Sequence, residues 1–459
     1  MTAEESEARD LLAGLWRDLG GPESALRQVD FVGRGSLRSI FAVSSLAAAS
    51  VATAGLAAAA LTETAARSGR SVVVDRRLSS MWFAMASRPQ GWAAPPLWGA
   101  IAGDYRGADG WIRLHTNAPH HSAIAARALD CAEERTAVTK AVAAWRVHEL
   151  EAKIVAAGGC AAAMRSAEDW AAHPQGAAVA GEPLLHLEKL AGDRRPLPGT
   201  AERPLEGVRV LDLTRVLAGP IATRFLAGLG AEVLRVDPPW WDEAAIAHEV
   251  TRGKTCARLD LREADQRAHL VSLLRDADVL VHGYRPGALD GLGLGAAERR
   301  RLNPDLIDVS LDAYGWTGPW AGRRGFDSLV QMSSGIAEAG MRRLGREAPT
   351  PLPVQALDHA QGYLLAASAL RGLSHRATAG GGWRSRSSLA RVATLLLQNP
   401  SDPDAPPLAP ETSADLADAT DATTWGPLRW LKPPVEIQGA PLRWESTSGP
   451  LGASPAAWR

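Results

Sequence analysis

Between Val208 and Val236 the chain runs strand, helix, strand. Val208–Leu213 (VRVLDL) is a β run, Thr214–Pro220 (TRVLAGP) a turn with Gly-Pro punctuation, and Ile221–Gly228 a helical stretch closed by Gly230. Ala231–Val236 (AEVLRV) is a second strand. Such a unit cannot close as a hairpin, because parallel neighbours need a crossover, so it commits this part of the chain to a parallel sheet. The pattern continues with a helix over Glu263–Arg275, a strand at Val279–His282, a Gly-interrupted helical segment over Leu289–Leu302 and a strand at Leu306–Ser310. The expected fold class is therefore α/β, a Rossmann-like doubly wound parallel sheet, with a smaller α+β domain beside it.

In such sheets ligands bind beyond the carboxyl ends of the strands, which singles out the loops Thr214–Pro220, Asp237–Lys254, Gly283–Gly287 and Tyr314–Asp327. There is no GxGxxG and no Walker lysine motif, so neither a dinucleotide nor an ATP site is announced. The same loops carry Arg215, Arg252, Lys254, Arg285, Arg323 and Arg324. Cations gathered at one rim suit a ligand with several phosphates, although a solvated basic rim has the same composition.

Downstream, Pro351–Leu373 (PLPVQALDHAQGYLLAASALRGL) places Asp358 just ahead of an apolar run containing Tyr363, Leu364, Leu365, Leu370 and Leu373. This predicts a buried helix starting near Asp358. An Asp there is ordinarily a helix cap.

The first part, to about Arg195, reads as a helical region with inserted strands. Ser39–Thr62 is free of charge but mostly Ala and Ser, which predicts a packed helix rather than a membrane span. Arg70–Arg77 is β-like, and Tyr105–His115 reads as a strand, a turn at Ala108-Asp109-Gly110 and a second strand from Trp111. Helical periodicity is expected over Ala123–Ala172, and His120 and His121 read as solvated loop residues, not metal ligands.

Lys plus Arg is 50 and Asp plus Glu is 51, which leaves no basic excess for nucleic acid. Three cysteines, Cys131, Cys160 and Cys256, have no CxxC spacing; they fit a reducing cytoplasm, and the acidic start MTAEESEARD is unlike a signal peptide.

Five stretches together carry a resemblance. PLEGVRVLDLTRVLAGPIATRFLAGLGAEVLRVDPP, TRGKTCARLDL, DADVLVHGYRPGALDGLGL, LNPDLIDVSLDAYGWTGPWAGRRGFD and the Asp358 helix resemble the class III CoA-transferases, the family of formyl-CoA and carnitine CoA-transferases, with α-methylacyl-CoA racemase as a relative. The likeness is continuous from Pro204 to about Gly372. It implies a CoA-binding Rossmann-like domain, a smaller domain and an interlocked homodimer. It implies Asp358 as the nucleophile and CoA contacts at Arg215, Leu217, Ala218, Arg252, Lys254, Gly283, Tyr284, Arg285 and Arg324. Acyl-CoA and a carboxylic acid acceptor would be the partners, with CoA a substrate rather than a tightly bound cofactor. An Asp near its reference pKa is ionised at neutral pH and needs no base. The racemase relative needs a His in a Gly-His-Asp step, where this chain has Gly325-Phe326-Asp327. A weakly active or inactive acyl-CoA-binding protein is the other alternative.

The order of pieces is unusual. YRGADGWIRLH, Arg146–Leu150, Glu168–Trp170 and His173–Gln175 resemble the family's small domain, yet they precede the Rossmann half; Gly426–Gly452 resembles its closing segment. Leu46–Leu78 and His359–Leu389 form a weak internal repeat of helix, Gly/Arg turn and strand. Two partial copies fused in one chain account for this. The first has no Asp or Glu between Phe31 and Ala59, where a counterpart of Asp358 should fall. The expected division is 1–195 small-domain-like, 196–204 linker, 205–397 catalytic, 398–424 flexible joint and 425–459 closing segment. Whether two chains interlock or one chain imitates the dimer is left open by the sequence.

Overall fold

A computed structural model describes residues 2–61 and 70–459. Its largest sheet contains six parallel strands: β1 Arg209–Leu213, β2 Glu232–Asp237, β3 Lys254–Arg258, β4 Val279–His282, β5 Ile307–Asp312 and β6 Trp383–Ser388. Their order is β3-β2-β1-β4-β5-β6, and His186–Lys189 adds antiparallel to β6 at the edge. This is the Rossmann strand order, and its direction reverses between β1 and β4. Strand β3 and the edge strand fall in stretches whose charged residues masked them in the sequence. The stems of Lys254 and Arg258 flank a buried Thr-Cys-Ala centre.

The helix Ala356–Thr378 is buried over most of its length and packs between Ala218–Gly228 and Val43–Leu61. Val43–Leu61 is itself buried from Val43 to Ala59, so the charge-free stretch is a core helix, as expected from its small side chains. Small residues let the backbones approach: a Cβ on Gly362 would lie 2.6 Å from the Ala218 carbonyl oxygen.

Residues 29–75 contain the same supersecondary unit as β5, Ala356–Thr378 and β6. Val29–Val32 and Val72–Asp75 pair in parallel with Val43–Leu61 between them. The Gly/Arg turn of its repeat falls largely at 62–69, outside the described residues. Each unit is completed by a strand from the other half of the chain. Val435–Ile437 runs antiparallel to Val72–Asp75, as His186–Lys189 does to β6.

The small domain pairs Gly103–Arg106, Trp111–Leu114 and Ala161–Ala163 as an antiparallel sheet covered by the helices Pro119–Leu129, Arg135–Val142 and Val147–Ala156. The turn at Ala108-Asp109-Gly110 lies where the sequence puts it. The strand Ala161–Ala163 interrupts the expected helical region, because three fully buried alanines complete a sheet edge despite their helix propensity.

Residues 398–424, expected from composition to be a flexible joint, are hydrogen-bonded to the amino-terminal part of the chain. Ala42 N–H donates to Asn399 O, Ser401 N–H to Ile40 O and Ser36 N–H to Pro406 O. Arg77 holds the Asp415 carboxylate with two bonds of 2.6 and 2.9 Å, and Leu416–Thr423 pairs with Gly426–Leu431. Backbone groups that a Pro- and Asp-rich coil would leave to water are satisfied by residues 36–42.

The high tryptophan count has a partial explanation in packing. Arg224 lies over the rings of Trp82 and Trp430, and Arg252 over Trp430 and Trp444, at 4.3–5.6 Å. Indole faces accommodate guanidinium groups that burial would otherwise leave costly.

Candidate active site

At the end of β1, Asp212 organises the turn into the next helix. Its carboxylate accepts from Thr214 N–H at 2.9 Å, from Thr223 Oγ1 at 2.6 Å and from Lys254 Nζ at 3.1 Å. Val216, two residues beyond Thr214, adopts φ +64°, a left-handed conformation that a β-branched residue rarely takes. Its N–H donates to Glu243 at 2.5 Å. Arg215 beside it is held between the rings of Trp241 at 4.8 Å and Tyr284 at 5.3 Å.

Asp358 stands in the first turn of Ala356–Thr378, but it does not cap that helix. The cap comes from another segment: the Asp327 carboxylate accepts the Asp358 N–H at 2.9 Å and a further bond from the Leu357 backbone. Gln331 donates to Asp327 and accepts from Leu352 N–H at 2.7 Å, which ties the approach to the helix to the same loop. Relieved of capping, the Asp358 carboxyl lines a cleft of about 450 Å³. Asp358 is 9% exposed. Burial, and then the neighbouring Asp327, hold its carboxyl well above the usual carboxylate range. This differs from the ionised side chain expected from the reference value. Burial also raises Asp327, to about 6, against the backbone bonds that favour its charged form.

All four loops named from the sequence reach this cleft. Arg215, Ala218, Gly283, Tyr284, Arg285 and Arg324 line it together with Asp358. Three other residues implied by the resemblance lie elsewhere. Leu217 packs partly buried against the main core. Arg252 is taken up by Trp430, Trp444 and, at 3.4 Å, Asp421. Lys254 is fully buried under the turn, donating to Asp212 and to the Pro220 carbonyl at 2.9 Å. The cationic groups of Arg252 and Lys254 are spent on the fold, because the tertiary partners that claim them come from distant segments.

The cleft also contains residues that motif reading passed over. His120 and His121 come from the small domain, and His121 is buried, not solvated, with Nε2 3.6 Å from Cys160 Sγ. Desolvation pushes His121 down to about 4. Phe326 carries His115 stacked at 3.7 Å between ring centroids. Asp312, at the end of β5, bonds Gly315 N–H at 2.9 Å, and burial pushes its carboxyl up to about 8. Trp240, Trp241 and Arg262 close the opposite wall. The paired Trp240-Trp241 inside a loop already marked by topology was the available signal.

Comparison with known proteins places these features. Residues 205–407 match CoA-transferase family III. A probable fatty acyl-CoA transferase of Mycobacterium tuberculosis is 36% identical over 188 residues, 38% of this chain and 47% of that protein. An acetyl-CoA:oxalate CoA-transferase of Acetobacter aceti is 36% identical over 154 residues, 31% of this chain and 40% of that protein. The chain thus spans less than half the length of these relatives. The crystal structure of a CaiB/BaiF family protein from Brucella suis aligns with TM-score 0.39 at 27% identity, over 49% of this chain and 65% of that one. Residues 205–407, which carry the parallel sheet and Asp358, are thus similar to CoA-transferase family III.

Proposed function

We propose that the chain moves CoA from an acyl-CoA thioester to a carboxylic acid, with Asp358 as the nucleophile. The observation that carries this reading is one carboxyl group, freed from capping, in the wall of a cleft that also presents Arg215, Arg285 and Arg324.

The ionised Asp358 carboxylate attacks the thioester carbonyl. The C–S bond breaks, CoA leaves as a thiolate with the bonding pair, and a mixed anhydride forms. The thiolate then attacks the aspartyl carbonyl and releases the donor acid as a carboxylate, leaving an aspartyl-CoA thioester. The acceptor carboxylate displaces the thiolate to form a second anhydride. The thiolate attacks the acceptor's carbonyl, giving the new acyl-CoA and regenerating the Asp358 carboxylate. Every bond broken is replaced by one of similar reactivity, so no nucleotide hydrolysis is needed. The N–H groups of Leu357 and Asp358 are engaged by Asp327. Stabilisation of the tetrahedral oxyanions falls to other donors and to the cationic wall.

A second reading, an acyl-CoA-binding protein without turnover, is favoured by the burial that raises Asp358 above the usual carboxylate range and so opposes its ionisation. Acyl-CoA and an acid are the proposed partners. The reciprocal strand pairing within one chain favours a self-contained particle over the interlocked homodimer that the resemblance implies.

Trapping the intermediate tests the reaction. The protein is incubated with a panel of acyl-CoA thioesters, quenched with hydroxylamine, and its peptides are mapped by mass spectrometry. A mass shift on the peptide containing Asp358, absent in Asp358→Asn, is expected. No adduct with any donor, alongside measurable CoA binding, would establish the second reading instead.

A further inference from the structure

A second cavity, of about 240 Å³, shares no lining residue with the cleft. Ile40, Phe41, Ile336, Leu344 and Leu352 give it an apolar wall. Its charged lining is Arg38 and Arg346, with no carboxylate among them. Arg38 lies 3.8 Å from Asp404, with both side chains largely in solvent. Arg346 is exposed and makes no ion pair among the described residues. An apolar cavity whose only charges are cations suits a short aliphatic chain that ends in an anion. The wall takes the tail out of water, while the carboxylate meets the arginines where both keep much of their hydration. The volume lies below the roughly 300 Å³ at which pockets for drug-sized ligands begin, so a nucleotide is too large to be enclosed.

This cavity is built between the elements that place Asp358. The helix Ile336–Arg343 follows Asp327–Ser333, which carries both Asp327 and Gln331. Facing it, residues 350–353 are the approach to the helix Ala356–Thr378. Leu352 belongs to both arrangements: it lines the cavity, and its N–H donates to Gln331 at 2.7 Å. Gln331 in turn donates to Asp327, which accepts the Asp358 N–H at 2.9 Å.

We propose that this cavity is an effector site for a short aliphatic monocarboxylate, whose binding holds Leu352 against Gln331 and so holds the Asp327 cap on the Asp358 helix. A tail that touches both walls binds only while they are together, and by linkage it favours the capped arrangement.

Octanoate, octanol and acetate separate the tail from the charge. Calorimetric titration of the wild-type chain should show octanoate binding, octanol binding more weakly and acetate not binding. Arg346→Ala is expected to weaken octanoate by about fivefold, the worth of one ion pair at a solvated rim, and to leave octanol unchanged. Leu344→Trp fills the cavity from its wall and should abolish binding of both. Hydrogen–deuterium exchange reads the coupling: saturating octanoate should slow exchange of the Leu352 and Asp358 amides in wild type. Octanoate that binds Leu344→Trp as tightly as wild type sits elsewhere and overturns the site. Should Leu344→Trp not fold, the Arg346→Ala comparison decides: octanoate unchanged, or octanol weakened equally, overturns recognition of the carboxylate here. Binding that leaves the two amides unprotected overturns the effector role, and wild-type protein that does not bind octanoate overturns the proposal as a whole.

Discussion

Asp358 and Asp327 are buried carboxyl groups side by side, and both are held above the value near 4 that an unfolded Asp would have. Each therefore favours the folded state fully below about pH 4, and that contribution is lost as pH rises through the folded value. For Asp327 the loss falls between about 4 and 6; for Asp358 it extends higher. Asp358→Asn cannot ionise, so urea denaturation across this range should show it gaining on wild type as pH rises from 4, with the two alike below. A constant offset at every pH would mean the carboxyl is not perturbed by burial. The same shift makes adduct formation at Asp358 increase with pH in wild type, read by quench-and-map kinetics. His359, the next residue, is buried against Phe83 with neither ring nitrogen hydrogen-bonded among the described residues. Burial pushes it down to about 3. Its neutral form is thus the folded form, and stability is lost as pH falls below about 6.5. His359→Leu should unfold less readily in acid than wild type and cost nothing at pH 7, since an unpaired buried polar group is replaced by an apolar one.

At the scale of elements, the Asp358 helix is placed by contact rather than by propensity. Ala in place of Gly in a helix interior ordinarily stabilises by about 1 kcal/mol. At Gly362 the added methyl would meet the Ala218 carbonyl and the Ile221 side chain at 2.6–2.8 Å. Overpacking outweighs propensity there, and Gly362→Ala should destabilise by about 1–3 kcal/mol in thermal or urea unfolding and displace Asp358 relative to Arg215. Unchanged stability would show that the two helices can separate freely. The helix itself was legible: Tyr363, Leu364, Leu365, Leu370 and Leu373 are all buried as their spacing required. Its cap was not, because the capping carboxylate of Asp327 lies 31 residues away. Nothing local marks a bond across that separation. The same holds for Lys254, whose charge suggested a ligand and whose burial against Asp212 makes it part of the turn.

For the whole molecule, the two halves of the chain exchange edge strands. Val435–Ile437 completes the sheet of Val29–Val32 and Val72–Asp75, and His186–Lys189 completes the large parallel sheet. Their core helices, Val43–Leu61 and Ala356–Thr378, pack on each other. These strand edges and helix faces are thus already occupied within one chain. Light scattering should give a particle of 48.5 kDa with one modifiable Asp358 per chain; a particle of twice that mass would return the interlocked homodimer.

The sequence by itself determined the parallel α/β sheet, the loops that form its ligand rim and the carboxylate at the head of the buried helix. Those features follow from periodicities of two and 3.6 residues and from the crossover a parallel pair demands, all of which are local. Tertiary structure alone decided which cations reach the cleft, that Asp327 rather than Asp358 caps the helix, that burial raises the Asp358 carboxyl above its ordinary range, and that Trp240 and His120 join the wall. Each of these depends on which distant group removes water from, or donates a bond to, a side chain, and spacing along the chain carries no record of that.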